Sequence, residues 1–483
     1  MLFNSIDFAI FLPIVFILYW IVAGKNLKIQ NFLIVSASYL FYGWWDWRFL
    51  SLIFFSTIVD YSVGLGLSEE NNQTKRKVLL WISILVNLGF LGFFKYYNFF
   101  LDNFISAFSL FGTGIKGDSL EIILPVGISF YTFQTMSYSI DVYNRKLEPT
   151  KDLLSFSAFV SFFPQLVAGP IERAANLLPQ FYYKRSFDYN KSVDGCRQIL
   201  WGLFKKIVIA DNCAYYSNLI FNNSNDYSGS TLVLGALFFA FQIYGDFSGY
   251  SDIAIGVARL FGFKLTRNFA FPYFSRDIAE FWRRWHISLS TWFRDYLYIP
   301  IGGSRGTNWN KVRNIFIIFI VSGFWHGANW TFIVWGTLNA LYFMPLLLLN
   351  KNRQYLEVVA QGRSLPSISE LFNMLITFII TLIAWIFFRA ENIDHAINYL
   401  SGIFSFSFFT IPEFGEIRLA ILTIVLVIVF IVIEWLGREQ QYALADLGLK
   451  WKRHYRWLFY SFIIFLIGMY MQTEETPFIY FQF

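Results

Sequence analysis

The chain reads IFIIFIVSGFWHGANWTFIVWGTLNALYFMPLLLL from Ile315 to Leu349. This run contains no aspartate, glutamate, lysine or arginine, and one histidine, His326, stands within it. About 18 to 20 consecutive apolar residues are enough for a helix to cross the hydrocarbon core of a bilayer. The run therefore predicts membrane-spanning structure, and it carries an ionisable imidazole to a depth where such groups usually face a cavity or a partner.

Apolar runs recur along the whole chain. Hydrophobic residues make up 56% of the 483 residues and charged residues 14%, whereas about a quarter of the residues of a soluble domain are charged. We therefore expect an all-α polytopic membrane protein with about 11 to 13 transmembrane or re-entrant helices. No long polar insertion interrupts the pattern, so residues 1–483 are predicted to form a single integral-membrane domain. The first apolar run, Ile6 to Val22, lacks the basic start and cleavage site of a signal peptide and is expected to be retained.

Basic residues are concentrated in alternate connections between the apolar runs. They cluster at Lys25 to Lys28, Lys75 to Lys77 and Arg145 to Lys151, and the connections between these clusters are poor in them. Because positively charged loops stay in the cytoplasm, this pattern predicts an extracytoplasmic N-terminus. The net charge of +6 arises from such loops and does not indicate nucleic-acid binding.

The segment from Arg276 to Asp295 carries too many charges for a lipid-facing span. At 100° per residue its arginines share one helix face with Glu280, which lies four residues from Arg276 and from Arg284. We predict an amphipathic helix along the inner membrane surface, with His286 beside the charged stripe. The alternative is an interfacial helix whose arginines contact only lipid headgroups.

Two histidines are the candidates for chemistry. A neutral imidazole near pH 7 is a suitable general base for activating a hydroxyl, and Gly323 and Gly327 beside His326 permit a helix break or the close approach of a ligand. His286 is a candidate either to orient His326 or to stabilise charge on an acyl carbonyl. The alternative for a lone membrane histidine is a hydrogen bond to a neighbouring helix.

A second polar stretch, YGDFSGYSD at residues 244–252, lies inside an apolar region. So many carboxylates and hydroxyls would be costly facing lipid, so they are predicted to line a tunnel or to bind another helix. Buried pairing to loop arginines is the structural alternative. Asp60, Lys95 and Asp141 are more isolated and are predicted to lie near helix ends.

Several common kinds of site find no support in the sequence. There is no Walker loop or dinucleotide fingerprint, no histidine and cysteine spacing typical of a metal site, and no G-x-S-x-G elbow. Cys196 and Cys213 form no metal or redox pattern. Covalent catalysis on serine, metal catalysis and disulfide chemistry are therefore not predicted.

Three stretches near the histidines read WRRWHIS (282–288), WFRDYLYIP (292–300) and FWHGANW (324–330). They closely resemble the signature of the membrane-bound O-acyltransferases. Within that superfamily the chain is similar to the bacterial branch that contains the alginate O-acetylation membrane subunit. Further matching stretches follow in order along the chain: FYGW (41–44), LPVGISF (124–130), FFPQLVAGP (162–170), YGDFSGY (244–250) and PFIYFQF (477–483).

The resemblance implies an enzyme whose catalytic histidine corresponds to His326, with His286 at the second motif position. It implies that acetyl is taken from cytoplasmic acetyl-CoA and delivered across the membrane, where a separate extracytoplasmic acetyltransferase commonly places it on polysaccharide. Expected contacts are thus acetyl-CoA, this partner protein, a polysaccharide acceptor and membrane lipid, with no nucleic acid, metal or bound cofactor. The substrate-binding candidates are Arg283, Arg284, Asp295, Asn329, Tyr244, Asp246, Ser248 and Tyr250.

Two other functions remain as alternatives to acetylation of an alginate-like exopolysaccharide or of peptidoglycan. One is the D-alanyl transfer protein of teichoic-acid modification, whose donor is a carrier-protein thioester. The other is a proton-coupled transporter that uses His326, Asp246 and Asp252 as a proton relay, although the inverted repeat expected of many transporters is not apparent. The predicted location is the bacterial cytoplasmic (inner) membrane.

Overall fold

The computed structural model describes residues 1–22, 24, 26–110, 117–167, 169–471 and 478–479. All regular secondary structure in this part of the chain is helical, which confirms the predicted all-α class. Of the residues used above, Lys25, Ala168, Pro477 and residues 480–483 lie outside the described part.

Six helical runs of the described chain are long and apolar enough to cross a membrane, and the shorter apolar runs Ile6–Val22 and Leu153–Leu166 accompany them. A multi-pass membrane protein is thereby confirmed, whereas the sidedness of its termini stays a prediction. The six runs are Leu27–Glu69, Gln73–Ser109, Gly229–Leu260, Trp330–Leu348, Ile368–Arg389 and Ile417–Gly437.

The chain divides into two compact units, residues 1–192 with 257–266 and residues 193–256 with 267–483. The prediction of a single acyltransferase domain over the whole chain stays a prediction. The first unit contains α1 (Ile6–Ile17), α2 (Leu27–Asp46), α3 (Leu50–Glu69), α4 (Gln73–Leu91), α5 (Tyr97–Leu110), α6 (Ile128–Tyr143), α7 (Leu153–Ser161), α8 (Phe163–Leu166) and α9 (Ala174–Leu177).

The second unit contains all or most of the residues of the remaining helices. They are α10 (Tyr189–Leu203), α11 (Asp211–Asn222), α12 (Gly229–Leu260), α13 (Ile278–Arg284), α14 (Ile287–Phe293), α15 (Asn308–His326), α16 (Trp330–Leu348), α17 (Ile368–Arg389), α18 (Ile393–Ile403), α19 (Ile417–Gly437) and α20 (Arg453–Tyr470).

Polar side chains determine where several of these helices begin. The Asn26 and Asn72 side chains accept hydrogen bonds from the first backbone N–H groups of α2 and α4. Ser367 and Glu370 form a reciprocal capping box at the start of α17. Such caps satisfy N–H groups that have no partner within the helix, and each contributes about 0.5–2 kcal/mol.

A buried carboxylate lies inside the first unit. Asp60, in the middle of α3, is fully buried and accepts hydrogen bonds from Ser83, Asn87 (2.9 Å) and Ser139 (3.0 Å). These donors lie on α4 and α6, so one carboxylate joins three helices. The prediction that Asp60 lies near a helix end is therefore wrong: its partners come from other helices, and no local pattern in the sequence reveals them.

The apolar run that begins at Ile315 is not one helix. Helix α15 ends at His326, and α16 starts again at Trp330 after an extended Gly327. The two helices approach closely at their glycines. A Cβ atom added to Gly323 would lie 2.2 Å from the Phe332 carbonyl oxygen, and one added to Gly336 would lie 2.3 Å from that of Phe319. Small residues permit such backbone approach between membrane helices.

We expect Gly323→Val to destabilise the protein, because the added side chain would force α15 and α16 apart; overpacked sites typically lose about 1–3 kcal/mol. Thermal unfolding in detergent measures the loss. The matched control is Gly89→Ala in α4, where no atom lies within 4 Å of the added Cβ. Equal unfolding temperatures for Gly323→Val and the control would contradict close packing at this crossing.

Candidate active site

His326 lies at the C-terminal end of α15 among aromatic side chains. Its ring centre is 4.9 Å from that of Trp325, 5.1 Å from that of Trp335 and 5.3 Å from that of Phe388. Only 4% of the residue is exposed. The helix break after His326 thus leaves the imidazole inside an aromatic enclosure built from α15, α16 and α17.

His286 occupies a second break in the chain. The segment predicted as one amphipathic helix forms two short helices, α13 and α14, and His286 stands between them with φ +43°. A residue other than glycine in this left-handed region costs free energy that surrounding contacts must supply. The imidazole is 1% exposed, so it is buried in the protein rather than lying along a surface stripe.

Both histidines lie close to the same tryptophan, Trp325. The Trp325 ring centre is 6.1 Å from that of His286 and 4.9 Å from that of His326. Forty residues separate the histidines along the chain, and spacing alone does not predict this proximity. Breaks in the helical structure accompany both histidines: His286 lies between α13 and α14, and α15 ends at His326.

His286 is held by contacts of two kinds. The Phe247 ring packs against the imidazole at 4.6 Å, and Nδ1 lies 3.1 Å from the side-chain oxygen of Asn268. Burial lowers the pKa of His286 to about 3, so the imidazole is neutral at physiological pH. Its Nε2 is buried and has no hydrogen-bond partner in the described part of the chain.

The arginines of the first motif are engaged by protein groups. Buried Glu280 accepts from Arg276 (3.0 Å) and from Arg284 (2.8 Å). Arg283 donates to the backbone carbonyls of Asn352 and Tyr355, at 2.7 Å each. Arg284 also donates to the Glu357 carbonyl at 3.1 Å. Both motif arginines therefore contact the loop after α16, and their predicted contact with substrate stays a prediction.

A cavity of about 290 Å³ adjoins this segment. Its lining includes Trp282, Arg283 and, at exposed positions, Arg294 and Arg353. It also includes Ser322, which lies one helical turn before His326 on α15. The cavity therefore combines guanidinium groups with apolar side chains, and through Ser322 it lies close to His326.

Asp295 and Asn329, two further substrate-binding candidates from the motifs, form hydrogen bonds to other groups of the protein. Asp295 accepts from its neighbour Arg294 at 2.7 Å. Asn329 caps α16 by accepting from the Thr331 N–H at 3.0 Å, and it donates to the Glu391 carbonyl at 2.7 Å. These contacts account for the conformations of both side chains, and substrate binding by either stays a prediction.

The polar stretch on α12 is buried and paired. Asp246 lies 2.8 Å from Lys206 Nζ and accepts from the Ile479 N–H at 2.7 Å. The Tyr244 hydroxyl donates to Glu434, and both residues line a largely apolar cavity of about 380 Å³. The sequence left buried pairing open as an alternative, and pairing is found, but with a lysine rather than with loop arginines.

The remaining two candidates on α12 are also enclosed. Ser248 is 1% exposed, and its hydroxyl has no hydrogen-bond partner among the described residues. Tyr250 is fully buried and packs on Phe478, with ring centres 4.6 Å apart. A tunnel lined by these residues stays a prediction.

Sequence reasoning missed three residues that support the site. Asn268 holds His286, Lys206 neutralises Asp246, and Glu434 binds Tyr244. A signal was available for Glu434, because a carboxylate inside the strongly apolar run Ile417–Gly437 is itself a functional or structural marker. Asn268 lies in an irregular connection, and no periodicity distinguishes it.

These features define a helical membrane protein with two buried histidines beside a basic and apolar cavity. Residues 144–388, which contain both histidines and the α12 stretch, match the family model of the membrane-bound O-acyltransferase family. The chain therefore belongs to this family of acyltransferases.

Comparison with individual proteins shows which acyltransferases this chain is similar to. The chain is 39% identical to a probable alginate O-acetylase of Azotobacter vinelandii over 92% of its own length and 86% of that protein. It is 36% identical to a peptidoglycan O-acetyltransferase of Helicobacter pylori, covering 83% and 79% of the two chains. A teichoic acid D-alanyltransferase of Bacillus subtilis is 30% identical over 46% of this chain and 58% of its own.

Proposed function

We propose that the protein is a membrane O-acetyltransferase that takes acetyl from cytoplasmic acetyl-CoA and passes it across the bacterial cytoplasmic membrane to O-acetylate an extracytoplasmic polysaccharide. The observation that carries this proposal is the similarity to O-acetylating relatives over most of both chains. Similarity to the D-alanyltransferase extends over less than half of this chain. An alginate-like exopolysaccharide or peptidoglycan is the acceptor class that these relatives indicate.

The cavity beside α15 supports a CoA thioester as donor. Exposed Arg294 and Arg353 supply positive charge at its wall, and guanidinium groups bind phosphates well. Trp282 and the other apolar lining residues suit the narrow, uncharged arm that carries the thioester. Ser322 in the same lining brings that arm to within one helical turn of His326.

His326 is the general base of the proposed reaction. Its imidazole takes the proton of the acceptor hydroxyl as the hydroxyl oxygen attacks the carbonyl carbon of the thioester. The new C–O bond forms, the C–S bond breaks, and the sulfur leaves with its electron pair as the CoA thiolate. The proton on His326 then passes to the thiolate or to water, which restores the neutral base.

A separate extracytoplasmic acetyltransferase and a polysaccharide complete the proposed system. The acceptor that meets His326 carries a hydroxyl, and the partner enzyme commonly makes the final transfer to the polymer. The six apolar helical runs support a protein embedded in lipid. In the proposed reaction the donor is on one side of that membrane and the acceptor is on the other.

The test measures thiol release by the purified full chain in nanodiscs, with acetyl-CoA and a D-alanyl carrier-protein thioester as alternative donors. Consumption of acetyl-CoA, together with acetylation of the polymer in cells that carry the partner, is the expected result. Turnover with the carrier thioester and none with acetyl-CoA would replace the proposal with D-alanyl transfer. Proton-coupled uptake without thioester consumption would replace it with transport.

A further inference from the structure

We infer that Asn268 is a positioning residue that fixes His286 as the Nδ1-protonated tautomer and so leaves Nε2 as a hydrogen-bond acceptor. Asn268 is fully buried and lies between α12 and α13. The effect of Asn268 on turnover rests on the proposed function, whereas the tautomer of His286 does not.

Backbone geometry identifies the side-chain oxygen of Asn268. The atom that faces His286 is also 3.3 Å from the Ser288 backbone nitrogen and 2.9 Å from the Ser288 hydroxyl. A backbone N–H can only donate, so the atom it contacts is the carbonyl oxygen of the amide. The amide nitrogen then donates to the Ser251 hydroxyl at 3.1 Å, which agrees with this assignment.

The side-chain oxygen of Asn268 determines which ring nitrogen of His286 carries the proton. An amide oxygen cannot donate, so Nδ1, 3.1 Å away, must carry the hydrogen. In a neutral imidazole the other nitrogen then holds a lone pair. Within the described residues, Nδ1 forms the only hydrogen bond of the His286 side chain, and Nε2 forms none.

Among the described residues, no charged group contributes to the shift in the His286 pKa. The aromatic rings packed against His286 are Phe247 from α12, Phe269 from the loop that carries Asn268, and Trp325 from α15. None of these titrates in the physiological range, and burial alone accounts for the low pKa of His286. The tautomer is therefore set by a neutral hydrogen bond.

This tautomer selects one role for His286. Stabilising an oxyanion requires an N–H donor, and Nε2 has none to give. Nε2 instead accepts a hydrogen bond from an O–H or N–H group of a reactant, which orients that reactant beside Trp325 and His326. His286 thus acts as an acceptor that complements the general base.

The first measurement is the ¹⁵N spectrum of the full chain in lipid with labelled histidine. The chain has four histidines, and the His286→Gln variant assigns the signal of interest. The expected result is a protonated Nδ1 and an unprotonated Nε2. A wild-type signal with the proton on Nε2, or a charged ring at neutral pH, would overturn the inference whatever the enzyme activity.

The second measurement compares three variants. Asn268→Asp keeps the acceptor and adds a charge, so it should preserve the tautomer and raise the pKa of His286 by about 1 to 3 pH units. Asn268→Ala removes the acceptor and should lose the tautomer preference, with turnover falling about 10- to 100-fold, the loss found when a metal-bound histidine loses the partner that orients it. Ser251→Ala removes the contact to the amide nitrogen of Asn268 but leaves its oxygen in place, so the Nδ1-protonated form of His286 should persist.

The outcomes separate this inference from the proposed function. If Asn268→Ala keeps the Nδ1-protonated form, Asn268 does not set the tautomer and the inference fails. If the pKa of His286 does not rise in Asn268→Asp, the contact between the two side chains is refuted. A wild type that has the expected tautomer but consumes no acetyl-CoA would refute only the proposed function.

Discussion

Replacing His326 with alanine is expected to abolish acetylation of the extracytoplasmic polymer. The variant lacks the base that removes the acceptor's proton, and loss of a general base typically costs about 10²- to 10⁴-fold in rate. Cells that carry the variant and the partner enzyme would be assayed for ester-linked acetate on the polymer. Purified protein would be assayed in parallel for release of the CoA thiol from acetyl-CoA.

Controls distinguish lost chemistry from lost structure. His326 packs against Trp335 and Phe388, so alanine also leaves a cavity, whereas His326→Gln retains most of the side-chain volume. Both variants should be inactive although glutamine preserves more of the packing. The matched control is His454→Ala at an exposed position, which should remain active. Polymer acetylation by His326→Gln at the wild-type rate would exclude the general-base role.

The sequence predicts the fold class and marks His326 as a candidate because both depend on local signals, while the catalytic role of His326 stays a prediction. Apolar runs long enough to cross a bilayer are found as helices, and Gly323 and Gly327 mark the close approach and the break beside His326. His326 itself is conspicuous because it stands alone in an apolar run. Local composition and periodicity are sufficient for each of these predictions.

The missed features depend on contacts between distant segments. A 3.6-residue period continues through Trp285 and His286, yet the chain breaks there, because tertiary contacts such as the bond to Asn268 compensate for a left-handed residue. Asp60 likewise looks isolated in sequence but is satisfied by donors from α4 and α6. Pairings of this kind are properties of packed helices, and a single sequence gives no pattern that identifies them.

The buried charges of the second unit show what such pairing contributes to stability. Lys206 Nζ lies 2.7 Å from Asp211 and 2.8 Å from Asp246, with only 1% of the lysine side chain exposed. Replacing Lys206 with methionine would leave two buried carboxylates without their cation. Removing one partner of a buried ion pair typically costs about 3–5 kcal/mol, so Lys206→Met should unfold at much lower temperature in detergent or fail to accumulate in the membrane.

The matched control is Lys191→Met, because Lys191 pairs with Asp188 at 3.4 Å and 71% of its side chain is exposed. Exposed pairs contribute about 0–1 kcal/mol, so this variant should unfold close to the wild-type temperature. Adding Asp246→Asn and Asp211→Asn to Lys206→Met should recover much of the lost stability, since neutral amides have a smaller desolvation cost than unpaired carboxylates. If Lys206→Met and Lys191→Met unfold at the same temperature, the buried pairing of α12 does not stabilise the fold. In that case Asp246 would be available for the substrate contact predicted from sequence.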